Sequence, residues 1–154
     1  MKIIRRVLPS DGIATKYLQE TSDGFVVEAT YINRPKKHIL CVSTQVGCSI
    51  RCGFCASGLR SEGVLYERSL SSAEMVEECC NIAREIDLTA HRKPLHFSFM
   101  GEGEPFLNFN ECVKAFHALA GTNWLVPIQL AVSTSGIRPD LIRYLGGIEF
   151  SASL

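Results

Sequence analysis

From His38 onward the chain alternates short apolar runs with amphipathic ones, and few architectures accept that alternation. The pattern predicts strands over 38–43, 95–100, 128–133 and 148–153, separated by helices over 71–86, 108–120 and 139–145. Short apolar strands alternating with amphipathic helices call for right-handed βαβ crossovers and a parallel sheet. The loops that follow the strands then gather on one rim, where function is expected. The helix over 71–86 is the most sharply drawn. Ser71-Ser72-Ala73-Glu74 has the form of a capping box, and Met75, Val76, Cys79, Cys80, Ile82, Ala83 and Ile86 recur behind it at helical spacing.

Ahead of this region two β-rich runs, 14–20 and 25–32, are joined by Thr21-Ser22-Asp23-Gly24, whose Asp-Gly pair predicts a hairpin turn. The residues before them read as a short basic lead. The last predicted strand ends the sequence at Ser151-Ala152-Ser153-Leu154. A parallel strand with neither partner nor covering helix exposes an apolar edge, so the expectation is a portion of a larger barrel, or completion by another chain.

A hydrophobic share of 46% is enough to build a core. No apolar run approaches the roughly 20 residues of a membrane helix. The start leads into Pro9-Ser10-Asp11-Gly12 rather than a signal-peptide apolar core, so a cytoplasmic protein is expected. Sixteen basic and sixteen acidic residues leave no global nucleic-acid footprint. Arg34-Pro35-Lys36-Lys37-His38 and His91-Arg92-Lys93 are local basic clusters that read first as solvated turns; they are compatible with RNA without arguing for it. Seven cysteines in a reducing compartment read as metal-binding, catalytic or buried rather than as a disulfide framework. Cys79, Cys80 and Cys112 fall inside helical patterns and are expected in the core.

Three cysteines stand apart. Cys48, Cys52 and Cys55 lie at C-x₃-C-x₂-C spacing in one short loop after the strand over 38–43. A structural zinc site takes four closed ligands, for which Cys41 or His38 would have to serve as the fourth. A cubane iron–sulfur cluster held by three cysteines leaves one iron open to a small molecule. Phe54 is either a hydrophobic anchor for this loop or a ring that stacks on a base-bearing cofactor.

Cys48-x₃-Cys52-x₂-Cys55 with an aromatic before the last cysteine resembles the radical S-adenosylmethionine (SAM) superfamily. The string Cys41-Val42-Ser43-Thr44-Gln45-Val46-Gly47-Cys48 resembles its RlmN/Cfr-type branch of rRNA adenine methyltransferases. Met100-Gly101-Glu102-Gly103-Glu104-Pro105-Phe106-Leu107-Asn108 and Ser133-Thr134-Ser135-Gly136 resemble that branch's later motifs, in the same order. Glu102 departs from the pattern, standing where a methionine is common.

The resemblance implies an α/β fold, a partial (β/α)₆ barrel represented by about four parallel strands. Residues 1–37 would form a β-hairpin extension and 38–154 the incomplete barrel. It implies a [4Fe–4S] cluster on Cys48, Cys52 and Cys55 whose open iron chelates SAM, with reductive cleavage yielding a 5′-deoxyadenosyl radical. SAM contacts are implied at Phe54, Gly103, Glu104, Ser135, Ser153 and Leu154, with Gly103 and Glu104 receiving the methionine amino group. Glu28 would be the proton acceptor, and Cys41 would help to resolve a protein–RNA crosslink. The family's methyl-carrying cysteine matches none of the seven here.

The implied substrate is an adenine of 23S ribosomal RNA, methylated at C2, or at C8 as in the Cfr group, with transfer RNA as a further substrate. The implied electron donor is a flavodoxin or ferredoxin. Two other readings stay open at this point: a radical SAM enzyme with a different substrate, and a non-catalytic metal-binding module or remnant.

Overall fold

The computed structural model describes residues 1–10, 12–57, 66–88, 93–144 and the backbone of Glu149–Ala152. Four antiparallel strands come first: β1 (Lys2–Val7), β2 (Ala14–Glu20), β3 (Val26–Arg34) and β4 (Lys37–Val42). A short ribbon of β5 (Gln45–Gly47) and β6 (Tyr66–Ser69) brackets the cysteine segment. Helix α1 (Ser72–Ala83) leads to β7 (Leu95–Phe99), helix α2 (Phe109–Gly121) to β8 (Ile128–Thr134), and a 3₁₀ turn at Pro139–Tyr144 to β9 (Glu149–Ala152). Strands β4, β7, β8 and β9 are parallel neighbours, and one seven-stranded mixed sheet runs in the order β1-β2-β3-β4-β7-β8-β9. No helix among the described residues is long and apolar enough to cross a membrane.

The capping box is present in full: the Ser71 hydroxyl accepts from the Glu74 N–H, and the Glu74 carboxylate accepts from the Ser71 N–H. The hairpin turn forms as the Asp-Gly pair predicts, with Gly24 at φ +86°. Three expectations are revised. Strand β1 replaces the basic lead; a register shift between Ile3 and Arg5 breaks its alternation, so the sequence does not read as a strand. Helix α1 stops at Ala83 rather than at 86, and Glu85 just beyond it pairs with Arg6 of β1. The predicted helix over 139–145 is a six-residue 3₁₀ turn opened by Pro139.

The two faces of the sheet differ. Tyr17, Val27, Leu40, Val42, Phe97, Phe99 and Val132 face the helices and bury against Met75, Cys79 and Ile82 of α1 and Cys112, Phe116 and Leu119 of α2. Phe99 stacks on Phe116 with ring centroids 4.5 Å apart. Cys79 and Cys112 are core residues as expected, and burial raises both thiols well above their ordinary pKa; Cys80 is only half-buried. On the opposite face one cross-strand row, in register, is Lys16–Thr30–Cys41–Ser98–Ala131.

A candidate cofactor site at the rim of the parallel strands

Chain geometry brings the loop after β7 against the loop after β4. The Gly101 N–H donates to the Val42 carbonyl at 3.0 Å, and the Glu102 carbonyl accepts from Thr44 at 2.8 Å and Gln45 at 3.3 Å. This approach depends on glycine. A Cβ on Gly101 would lie 2.7 Å from the Val42 carbonyl carbon. One on Gly103, itself at φ +98°, would lie 2.6 Å from Gln45 Cβ and Thr44 Oγ1.

Buried polar side chains complete the joint. Asn108 Nδ2 donates to the carbonyls of Thr44 at 2.8 Å and Leu70 at 2.7 Å, closing both ends of the cysteine-bearing excursion. Gln45 Oε1 accepts from the Glu104 N–H at 3.0 Å. Glu102 Oε2 accepts at 3.1 Å from the N–H of Gly47, the residue before Cys48.

Glu104 is buried and links two loops. Its Oε1 accepts from the Phe106 N–H and the Thr134 hydroxyl; its Oε2 accepts from the Ser135 N–H at 2.7 Å and the Ser135 hydroxyl at 2.8 Å. All four in-plane lone pairs are thereby used. The carboxylate fixes the turn after β8, and the Ser135 hydroxyl keeps its own lone pairs for a donor.

In the cysteine loop, the Cys55 N–H donates to the Cys52 carbonyl at 3.0 Å, and Arg51 takes the left-handed conformation at φ 55° that the tight turn requires. Burial raises the Cys48 thiol, the N–H groups of Ile50 and Arg51 pull it down, and Cys52 and Cys55 push it up again. Among the described residues no three His, Cys, Asp or Glu side chains converge as ligands of a single metal ion. Three cysteine thiols on one short loop, one of them met by two backbone N–H groups, are a donor set of the kind that a [4Fe–4S] cluster takes. Phe54 is 84% exposed, so it does not anchor the loop in the core and its ring is accessible for stacking.

Glu28 and Cys41 share the sheet face away from the helices. Thr30 pairs directly with Cys41, and Glu28 lies two residues from Thr30. Burial pushes the Cys41 thiol up to about 11. Glu28 holds Lys16 at 2.9 Å. Ser43 connects this face to the rim, its hydroxyl donating to the Glu28 carbonyl at 2.8 Å and accepting from the Glu102 N–H at 3.0 Å. Ser153 and Leu154 lie outside the described residues.

Several site-building residues escape sequence reasoning. Glu78, fully buried on α1, accepts from the Ser43 N–H at 3.1 Å through Oε2, while Oε1 is buried without a hydrogen bond. Burial raises its carboxyl pKa well above the ordinary value, and the negative charge of Glu102 adds to this. One signal pointed to it: Glu78 lies between Met75 and Ile82 on the apolar stripe of α1, a poor place for a solvated acid. Gln45, Asn108 and Thr134 fall inside the quoted motif strings, but nothing in those strings marks them as hydrogen-bond partners in this joint.

No family model matches the chain. It is 33% identical over 145 residues to a dual-specificity RNA methyltransferase RlmN of Syntrophobacter fumaroxidans, covering 93% of this chain and 40% of the relative. It is 37% identical over 152 residues to a probable dual-specificity RNA methyltransferase RlmN of Trichormus variabilis, covering 99% and 40%. The crystal structure of a radical SAM methyltransferase from Sphaerobacter thermophilus matches with a TM-score of 0.81 and 30% identity, over 99% of this chain and 45% of that one. In fold and sequence the chain is similar to proteins of the radical SAM methyltransferase class. Within that class its curated relatives include the RlmN proteins, and it spans about 40% of the length of those it matches.

Proposed function

We propose that this chain carries the cluster and cofactor site of a cytoplasmic radical SAM enzyme that methylates an adenine carbon of RNA, C2 or C8, in ribosomal and transfer RNA. The observation that carries the reading is the joint at the rim: the cysteine loop, the Gly101–Glu104 turn and the Ser133–Gly136 turn are hydrogen-bonded into one unit at the ends of adjacent parallel strands. Open α/β sheets bind their ligands at such strand ends.

Cys48, Cys52 and Cys55 would hold the cluster. A reduced [4Fe–4S] centre supplies one electron to the sulfonium of SAM when both are bound. The chain supplies placement. Phe54 offers a ring face to the adenine of the cofactor. Gly103, Glu104 and Ser135 would form the polar end that receives its amino group, Glu104 through its negative charge, since its four lone pairs are taken by internal donors, and Ser135 through the lone pairs its hydroxyl keeps. Ser153 and Leu154 would begin the next cofactor segment. On the uncovered face Glu28 takes up a proton from the substrate, and Cys41, neutral at physiological pH in this setting, resolves the protein–RNA crosslink. The sheet would curl into a partial (β/α)₆ barrel around that face, with residues 1–37 as its extension, and a flavodoxin or ferredoxin would deliver the electron.

The reading is tested with Cys52→Ala and dithionite under anaerobic conditions. The parent should release 5′-deoxyadenosine from SAM and the variant should release none. Cleavage at the parental rate in Cys52→Ala would remove the reading.

A further inference from the structure

A polynucleotide must lie on the protein before one of its bases can reach Glu28 and Cys41, and the uncovered face of the antiparallel strands has the charge for it. In a chain with as many carboxylates as cations, this face of β1–β4 carries Lys2, Arg5, Lys16, Arg34 and Lys37. Among the described residues of these strands only Glu20 and Glu28 oppose them there, Glu28 through its ion pair with Lys16.

Adjacent arginines show that the asymmetry belongs to the fold rather than to local composition. Arg6 turns toward the helices, where Glu85 takes its guanidinium. Arg5 turns the other way and is exposed, and its guanidinium has no hydrogen-bond or ion-pair partner among the described residues. Register then links this face to the candidate catalytic residues. Arg5 pairs with Leu18, and Leu18 with Glu28; Lys16 pairs with Thr30, and Thr30 with Cys41. Arg5 therefore stands two strands from Glu28, about 10 Å at the usual strand spacing, whereas Lys16, two strands from Cys41, also holds the Glu28 carboxylate at 2.9 Å. Partly exposed Leu18, between the two rows, offers apolar surface to a sugar or base.

We propose that the face of β1 and β2 bearing Arg5 and Lys16 is a phosphate track, along which a single-stranded or looped RNA lies while its target base is delivered to Glu28 and Cys41. This rests on the RNA reading above. Cations beside an apolar surface are the ordinary means of holding a single strand without reading its sequence.

The test is fluorescence anisotropy of a labelled hairpin RNA with an unpaired loop adenine, titrated with the full chain over a range of KCl. Arg5→Gln, which removes no contact of the fold, should weaken binding whatever the loop sequence. It should also make log K against log salt shallower by about 0.7. The double variant Arg5→Gln/Lys16→Gln should lose about 1.4 of slope, and Arg5→Lys should restore the single loss. Lys114→Ala, on the far side of the helix layer, should match the parent. If the parent binds and the double variant keeps its affinity and slope, the track is wrong and the RNA reading stands. If the parent binds no RNA at any salt, both fall together.

Discussion

Substituting Gly103 by alanine isolates the contact on which the rim depends. Two costs arise. At φ +98° an L-residue is strained by about 1–2 kcal/mol. The added Cβ would also stand 2.6 Å from Gln45 Cβ and Thr44 Oγ1, atoms close to the backbone that cannot swing aside, and such overpacking costs about 1–3 kcal/mol. A total of about 2–5 kcal/mol corresponds, for a chain of this size, to a melting temperature lower by roughly 6–15 °C. Two controls separate the contributions. Gly24→Ala meets nothing within 4 Å at φ +86°, so it carries the strain alone and should cost about 3–6 °C. Gly121→Ala has neither strain nor a near neighbour and should melt within about 2 °C of the parent. The assay is thermal unfolding followed by circular dichroism at one protein concentration. If Gly103→Ala melts no lower than Gly24→Ala, the close approach of the two loops does not exist as described.

Other outcomes follow from the same joint and its surroundings. Asn108→Ala leaves the Thr44 and Leu70 carbonyls without their buried donor and should cost about 2–4 kcal/mol in urea unfolding; a loss under about 0.5 would contradict the bridge. Burial raises the Glu78 carboxyl in the native state, so above the ordinary carboxylate range the folded chain binds a proton more tightly than the unfolded one; stability relative to Glu78→Gln should therefore rise as pH falls toward that range, and a parallel pair of curves would refute this. The Cys41 thiol, raised to about 11 against an ordinary value near 9, should make stability fall as pH climbs through that window, and Cys41→Ala should flatten that part of the fall. Arg68 joins Asp23 of the hairpin turn to Glu74 of α1, so Arg68→Ala should lower the melting temperature by an amount that shrinks in 1 M NaCl; a salt-independent loss would point to packing instead.

What the sequence discloses is what local chemistry determines. Ser71 and Glu74 announce the start of α1 because the capping box is complete within four residues, and Asp23-Gly24 announces a turn because glycine carries the positive φ. The three cysteines are legible because their spacing needs no knowledge of the rest of the fold. Strand β1 is hidden by a bulge, and the three-residue β5 is too short to show a period. Gln45 and Asn108 are hidden for another reason: they act through carbonyls and N–H groups brought close only by tertiary folding. Glu104 lies between these cases. Its motif is visible in the sequence, whereas the occupation of its carboxylate by Thr134 and Ser135 follows from where β8 ends.

The central claim, that Cys48, Cys52 and Cys55 hold an iron–sulfur cluster with one iron open to SAM, is tested most directly by anaerobic reconstitution of the purified chain with iron and sulfide. The account predicts a brown protein with about four irons and four sulfides per chain, and a reduced-state EPR signal that changes when SAM is added. A colourless protein that holds one zinc and shows no response to SAM would contradict it.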